Sequence, residues 1–269
     1  MKFVRRDLGA AAEASVGGGR TGVFREFVLM GGALLALVLG LWFGIAWTIE
    51  LALPLVSPGT EHRWFGDFSP PAARSGANPA VDRRAALARV TAVLAKLSAD
   101  PAVPRIPYRI FILPGDEPNA FAFPGGAIGV TEGLLDVVDE EVPLAFVLGH
   151  ELGHFAQRDH LRGLGRQLGR QLAWALIFGE GGDLLGSHLS SLLEIRHSRG
   201  QESAADLFGL ELVHRRFGTT TGTEKLFLWL EARDRNPRWL EMLQTHPVPA
   251  NRLQAMRAHA ARLGPSSVP

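Results

Sequence analysis

The stretch Gly149-His150-Glu151-Leu152-Gly153-His154 says most about the fold of this 269-residue chain. Two histidines four residues apart lie on one face of an α-helix, so both imidazoles can reach a single cation. Glu151 projects toward the same cleft without having to be a ligand. Imidazole nitrogens suit Zn²⁺, which lowers the pKa of a bound water to about 7. The motif therefore predicts a zinc site with its own base and indicates hydrolysis of a peptide bond.

The flanks of this motif bear on the alternative, a helix with two ordinary histidines and an exposed glutamate. The helix is apolar at Val142, Ala145, Phe146, Leu148, Leu152 and Phe155. Charged or imidazole groups inside such a helix need partners. Pro143 fits the first turn, where the missing N–H costs nothing. The sequence thus predicts a buried helix over residues 143–159 that carries the metal site.

A third ligand is required, because a catalytic zinc takes three protein ligands and leaves one position for water. The chain has no cysteine, so the candidates are His, Asp and Glu. Glu202 and Asp206 are four residues apart on one face of a second apolar-periodic helix. We expect Glu202 to bind the metal and Asp206 to accept the N–H of a ligand histidine. The alternative for Glu202 is a solvated glutamate favoured by the helix dipole.

These motifs together resemble the M48 family of zinc metallopeptidases, which includes the HtpX-type proteases. The resemblance rests on His150-Glu151-x-x-His154, on Glu202-x-x-Ala205-Asp206, on Asn119 to Leu135, and on Thr245-His246-Pro247 with Arg252. It covers residues from about 81 to about 263. It implies an α+β fold, a mostly helical zincin-like domain with a small sheet, which binds one Zn²⁺ per chain and cleaves polypeptides.

The resemblance also implies that His246 and Arg252 are catalytic neighbours of the metal. His246 could stabilise the oxyanion or cap the metal, and Arg252 could hold a carboxylate or bind substrate carbonyls. From the residues alone, the alternative is a proline-flanked loop with a surface histidine and an exposed arginine. We interpret the remaining histidines as ordinary surface or packing residues: His62, His160, His188, His197, His214 and His259.

The segment from Asn119 to Val130 predicts two short strands around a Pro-Gly-Gly turn. In related zinc peptidases an edge strand beside the cleft pairs with an extended substrate, and glycines let another backbone approach. The predicted substrate-binding residues are Gly126, Ala127, Ile128 and Gly129. The alternative, which is compatible with substrate pairing, is a hairpin corner in a mixed sheet.

The run from Phe27 to Ile49 is uncharged, mostly apolar and long enough to cross a bilayer as one helix. Basic residues precede this run, whereas the first one after it is Arg63, so the positive-inside rule places the N-terminus in the cytoplasm. We predict a cytoplasmic tail (1–26), a single transmembrane helix (27–49), a linker (50–80) and a peptidase domain (81–265). The domain would be periplasmic, on a bacterial inner membrane. The alternatives are a buried core helix and a domain that faces the cytoplasm.

The predicted domain places helices around a small sheet. The helices are expected at 78–98, 131–139, 143–159, 161–194 (broken), 200–217, 223–233 and 249–263, and a strand at 106–112. A second apolar patch, Leu172 to Phe178, is too short to span a membrane. It could pack over the zinc helix, face the bilayer or form a substrate lip.

The leading functional hypothesis is a membrane-anchored zinc endopeptidase that acts on polypeptides, including misfolded envelope proteins. The rival hypothesis is a zinc-stabilised, chaperone-like binding module, whose metal site is closed by His246 as a fourth ligand. A net charge of +1 and the lack of a basic run with interleaved aromatics give no indication of nucleic-acid binding.

Overall fold

A computed structural model describes residues 20–70, 83–178, 197–232 and 251–264. The helices are α1 (Arg20–Ala52), α2 (Pro58–Phe65), α3 (Arg83–Ser98), α4 (Glu132–Val137), α5 (Glu141–Gln157), α6 (Asp159–Phe178), α7 (Arg199–Phe217), α8 (Lys225–Glu231) and α9 (Asn251–Leu263). The strands are β1 (Arg109–Leu113), β2 (Ala120–Phe123) and β3 (Ala127–Thr131). The architecture is α+β and mostly helical, as predicted. His246 lies outside the described residues.

Local sequence signals set the ends of the site-bearing helices. Pro143 lies in the first turn of α5, as predicted, and α5 ends at Arg158 in the left-handed conformation (φ 59°). Ser198 caps α7 through a reciprocal pair of hydrogen bonds with Gln201. The capping box explains why α7 begins just before Glu202 and holds it in the first turn.

The sheet has the order β1-β3-β2, with β1 parallel and β2 antiparallel to β3. The hairpin predicted for 119–130 is therefore present, as β2, a short 3₁₀ turn and β3. The first strand begins at Arg109 and not at the predicted position 106. Pro107 accounts for the difference, because a proline has no N–H to give to a sheet ladder.

The interpretation of residues 126–129 as an exposed substrate-pairing edge is wrong. Ile128 and Gly129 lie on the central strand, where Ile128 pairs with Ile110 on one side and with Ala122 on the other. Ala127 and Ile128 are completely buried. Both edges of this strand are already used, so Ala127, Ile128 and Gly129 offer no backbone to another chain, and Gly126 lies buried in the 3₁₀ turn before the strand.

The apolar core lies between α3, the sheet, α5 and α7. Its buried members include Val90, Val93, Leu97, Ile128, Val130, Leu144, Leu148, Leu152, Leu210 and Val213. Because α3 and the sheet cover one side of α5 and α7 covers another, nearly all of α5 after its first turn is buried. The core therefore fixes the helix that carries the two histidines.

Small residues allow α5 and α7 to pack backbone against backbone. A Cβ added at Gly209 would lie 2.8 Å from the backbone N of His150, and one added at Gly153 would lie 3.0 Å from the Cα of Ala205. The small side chain of Ala205 permits this contact. The close approach brings Glu202 of α7 over the histidines of α5.

The N-terminal helix α1 is, among the described residues, the one helix long and apolar enough to cross a membrane. Most of its large apolar side chains are exposed, for example Phe27 at 77% and Trp47 at 69%. The following stretch, predicted to be a linker, contains α2, which Ser57 caps through its side chain. The domain boundaries themselves remain predictions.

Helix α2 packs against the 3₁₀ turn Pro124–Gly126. Gly125 has a φ of +80°, and a Cβ there would lie 2.3 Å from the carbonyl oxygen of Phe65. Glu61 is buried and accepts hydrogen bonds from the Gly125 N–H (3.0 Å) and from Nε2 of His160 (2.8 Å). His160, interpreted as a surface or packing residue, is thus a buried packing residue with a carboxylate partner.

Candidate active site

The three side chains predicted to bind a metal lie together between α5 and α7. The Nε2 atoms of His150 and His154 are 3.1 Å apart. The two carboxylate oxygens of Glu202 lie 3.6 Å from Nε2 of His150 and 3.5 Å from Nε2 of His154. All three residues are buried. Their i, i+4 spacing on α5 and the close approach of α7 produce this cluster.

Each histidine of the pair donates its Nδ1–H to a different aspartate. Asp206 of α7 accepts from His150 at 3.0 Å, and Asp159 at the start of α6 accepts from His154 at 3.0 Å. These bonds fix the tautomer that leaves both Nε2 lone pairs directed at each other and at Glu202. Asp206 was expected in such a contact, whereas Asp159 was not singled out from the sequence.

Asp159 is completely buried and has three hydrogen-bond partners. Gln201 Nε2 and Arg162 Nη1 both donate to its Oδ1, while Oδ2 serves His154. The sequence signal that could have revealed it is an acidic residue five positions after His154, at the start of the next helix. The left-handed conformation of Arg158 reverses the chain direction and so brings the Asp159 carboxylate back to the ring of His154.

Arg252 of α9 lies under the site, with 4% of its surface exposed. It donates to both oxygens of Asp206 at 2.7 Å and lies 2.9 Å from Oε2 of Glu202. Of the two roles considered for Arg252, these contacts match the one in which it holds carboxylates. A planar guanidinium that grips two acidic groups of one helix aligns both with the histidines.

Glu151 is also buried, with 2% of its surface exposed. Its Oε2 has no hydrogen-bond partner among the described residues. A buried carboxylate oxygen without a partner is costly, so its retention is typical of a functional group. Glu151 lies beside the metal-type cluster and contributes to the negative field around His154.

The electrostatics of the cluster favour positive charge. Burial by itself would lower the pKa of His154, but the carboxyl groups of Asp159 and Glu202 beside its ring raise that pKa to about 10. Burial would likewise raise the pKa of Asp206, yet the hydrogen bonds from His150 and Arg252 outweigh burial and hold it below its ordinary value. The pKa of Asp159 is also lowered, because its hydrogen bonds with His154 and Gln201 outweigh burial, so both aspartates stay ionised.

His197 contacts the site although we had interpreted it as an ordinary residue. Its ring stacks on that of His154, with centroids 3.9 Å apart and planes at 14°. His197, His154 and Asp159 are also a second set of side chains whose ligand atoms lie close enough together to hold a metal ion. His197 precedes Ser198, the cap of α7, and no spacing rule connects it to the HExxH motif. The stacked ring covers one face of His154.

This donor set fits a divalent cation. Two imidazole nitrogens and a carboxylate are ligands that Zn²⁺ prefers, and each imidazole is backed by a carboxylate. The carboxyl groups of Glu151, Glu202, Asp159 and Asp206 surround the two imidazoles, and Arg252 is the one buried Lys or Arg among the residues that the structure describes. Such a cluster of electron-pair donors is stabilised by an ion at its centre, so the residues present fit a metal.

Comparisons with known proteins agree with this geometry. The model of "Peptidase family M48" matches residues 83–260, which is more than half of the chain. The chain is 29% identical over 184 residues to the β-barrel assembly-enhancing protease of Escherichia coli (strain K12), an alignment that covers 61% of this chain and 37% of that protein. The corresponding protein of Yersinia pestis is 28% identical over 181 residues (60% and 36%).

A "Protease HtpX homolog" of Acidiphilium cryptum is 35% identical over 139 residues, which cover 49% of this chain and 47% of that protein. The chain thus spans between about a third and a half of the length of these three relatives. The matched region contains the whole described cluster, from His150 to Arg252. On the matched family model and on the cluster of ligand-type side chains, the chain belongs to peptidase family M48.

Proposed function

We propose that the protein is a membrane-anchored zinc endopeptidase in which His150, His154 and Glu202 hold one Zn²⁺ per chain. The observation that carries the proposal is the convergence of their donor atoms within 3.1–3.6 Å of one another. Zinc bound by these residues would polarise a scissile carbonyl and acidify water. Two imidazoles and one carboxylate leave the open position that a catalytic zinc requires.

Glu151 would act as the general base and then as the general acid. It follows the first ligand histidine directly, is buried, and keeps one carboxylate oxygen without a partner among the described residues. That oxygen can accept a proton from the attacking water and deliver it to the leaving amine. Asp206, Asp159 and Arg252 would position the ligands and would not touch the substrate.

An extended substrate would pair with β2. This strand packs against α5, and one of its edges has no strand partner among the described residues. Main-chain pairing grips unfolded polypeptide with little side-chain preference. This edge takes the role that the sequence had suggested for residues 126–129, and it suits misfolded chains as substrates.

The location would be a bacterial inner membrane, with the domain on the periplasmic side. The exposed apolar surface of α1 and the basic residues before it support this orientation. The names of relatives in Escherichia coli and Yersinia pestis, which refer to β-barrel assembly, support an envelope role.

A Glu151→Gln variant tests the proposed function. We expect it to retain one zinc per chain and to lose casein cleavage by at least about 100-fold, because the proton-transfer group is absent. Glu140→Gln, an exposed change just before the same helix, is the matched control and should cleave normally. Wild-type rates for Glu151→Gln would refute the assignment.

The rival function, a closed metal site in a binding module, predicts a different outcome for His246. Under that hypothesis His246→Ala loses zinc, and the wild type binds zinc without cutting casein. Under our proposal the wild type cuts casein, and His246→Ala keeps its zinc.

A further inference from the structure

We infer that α6 is a second membrane-contacting element, whose C-terminal part (172–178) lies among lipid chains beside α1. The first turn of α6 then lies at the membrane surface, next to the candidate active site. The inference rests on the membrane span of α1, which is part of the proposed function. Lipid is the partner to which it commits.

Helices α1 and α6 pack side by side in opposite directions. A Cβ added at Gly165 would lie 2.9 Å from Cγ2 of Ile49, and one added at Gly169 would lie 2.4 Å from Cγ2 of Ile45. A step of four residues forward on α6 therefore matches a step of four residues backward on α1. Two glycines at i and i+4 let helices approach this closely, as in membrane helix pairs.

This register determines how far α6 runs along the membrane helix. Gly169 lies level with Ile45, and a helix rises about 1.5 Å per residue. Phe178, the last residue of α6, therefore lies about 13 Å further along, level with residue 36 of α1. That is close to the middle of the predicted span, so α6 enters one leaflet of a hydrocarbon core about 30 Å thick and does not cross it.

The sequence of α6 changes character at the depth that this register predicts. Residues 172–178 read Leu-Ala-Trp-Ala-Leu-Ile-Phe, without a charge. Before them, Arg162 bonds Glu50 at 2.9 Å, and Arg166 lies level with the end of the span. Glu50, Arg162 and Arg166 line a polar cavity of about 640 Å³. Long arginine side chains at a helix entry reach the headgroups.

Lipid is the occupant that the neighbouring surface of α1 indicates. Leu35, Leu37 and Leu39, at the depth that the end of α6 reaches, are 59%, 58% and 46% exposed. Among the residues that the structure describes, this part of α1 stays exposed, so whatever surrounds α1 there also meets α6. In a bilayer that surrounding is acyl chain.

Contact with the bilayer would bear directly on the metal-type cluster. Asp159, the first residue of α6, holds His154, and it lies about 9 Å along the helix from Gly165. Arg158 donates to the carbonyls of Leu53 and Val56, just after α1. The junction of α5 and α6 is thus bound to the membrane end of the molecule.

Depth labelling of the full chain in liposomes tests this inference, and the absence of native cysteines makes single labels clean. Ala173→Cys and Ala175→Cys carry a fluorophore on two faces of α6. Leu228→Cys, 42% exposed on the body, is the water-side control, and Leu35→Cys is the bilayer control. Nitroxides on lipid chains quench fluorophores that lie among those chains.

We expect quenching at Ala173→Cys and Ala175→Cys comparable to that at Leu35→Cys, and none at Leu228→Cys. A charged maleimide should react with the two α6 variants at least about tenfold more slowly than with Leu228→Cys, because hydrocarbon excludes charge. Reaction at the Leu228→Cys rate overturns the inference, as does slow reaction without lipid quenching, which indicates a protein cover. Disulfide-linked dimers without quenching would identify a second copy as that cover.

The controls separate this inference from the proposed function. If Leu35→Cys is unquenched, α1 does not span, and the anchor and the inference fail together. If Leu35→Cys is quenched but the two α6 variants are not, the inference alone fails. Zinc content and casein cleavage of the same preparations report on the peptidase assignment independently.

Discussion

At the residue scale, the candidate site depends on carboxylates that do not contact the metal position. Asp206 and Asp159 each accept the Nδ1–H of one histidine and so direct its Nε2 toward Glu202. Arg252 in turn holds Asp206 and Glu202 from below. Asp159, Asp206, Glu202 and Arg252 are all buried, so the loss of one of these side chains would leave a buried charge without its partner.

Asp159→Asn tests the less expected of these contacts. Replacement of the acceptor weakens the hold on the tautomer and orientation of His154, so we expect zinc affinity to fall by about 10–100-fold. Chelator competition measures that affinity. Asp136→Asn, an exposed aspartate on α4, is the matched control and should bind zinc like the wild type. Unchanged affinity in Asp159→Asn would show that His154 needs no such partner.

The sequence predicted the residues whose geometry is local and missed those that depend on chain reversals. His150 and His154 share a helix face by spacing alone, and so do Glu202 and Asp206. Asp159 follows Arg158, which adopts a left-handed conformation. That conformation could not be predicted from the sequence, because it is uncommon for residues other than glycine. His197 reaches His154 only because α7 packs on α5.

At the element scale, the site exists because α5 and α7 pack at backbone contact. Gly149 and Gly153 of α5 face Gly209 and Ala205 of α7. The small residues occur four apart on each helix, and this spacing keeps them on the contacting faces. A larger residue would separate the histidines from Glu202.

Gly209→Ala tests that packing. The added Cβ would lie 2.8 Å from the backbone N of His150, so the helices must separate. We expect the free energy of unfolding to fall by about 1–3 kcal/mol, as for other overpacked cores, and zinc affinity to fall with it. Chemical denaturation and chelator competition measure the two effects. Gly200→Ala on the same helix, where the nearest atom is 3.9 Å away, should leave zinc affinity unchanged and should not lower the free energy of unfolding.

A stability of Gly209→Ala equal to that of Gly200→Ala would contradict the account of α5–α7 packing.

The strand order was the element-scale feature that the sequence did not predict. The turn sequence predicts the pairing of β2 with β3, which follow each other in the chain. Strand β1 also pairs with β3, although β2 lies between them in the sequence. Such non-local pairing leaves no mark on the local pattern, and it is why β3 is the central strand and not an edge.

At the scale of the whole molecule, the segment after α1 is bound into the domain. Buried Glu61 of α2 contacts His160 of α6 and the N–H of Gly125 at the turn before β3. The composition of residues 50–80 predicted a linker, yet Ser57 followed by Pro58 is a helix-start signal. Local signals for α2 were thus present, whereas its docking site, a turn some 60 positions later, was not predictable from them.

Glu61→Gln should change how stability depends on pH. Burial raises the pKa of Glu61, but the contacts with His160 and the Gly125 N–H outweigh burial and lower it. A carboxylate with a lowered folded-state pKa stabilises the fold above its unfolded value, about 4.3, and that contribution is lost as the pH falls through the folded value. We therefore expect wild-type stability to decrease more steeply than that of Glu61→Gln below about pH 4.5.

Urea unfolding of the full chain between neutral pH and pH 3 measures this difference. Asp67→Asn, an exposed change just after α2, should follow the wild type. Parallel acid profiles for the wild type and Glu61→Gln would show that the Glu61–His160 contact contributes nothing to the fold.

The most direct test of the central claim is zinc K-edge absorption spectroscopy of the purified full chain, with metal content determined in parallel. The account predicts one zinc per chain, bound by two imidazoles and oxygen ligands at about 2.0–2.2 Å. It also predicts the same imidazole count in His246→Ala and loss of the metal in Glu202→Ala. A chain that binds no zinc, or one whose spectrum drops from three imidazoles to two in His246→Ala, would contradict it.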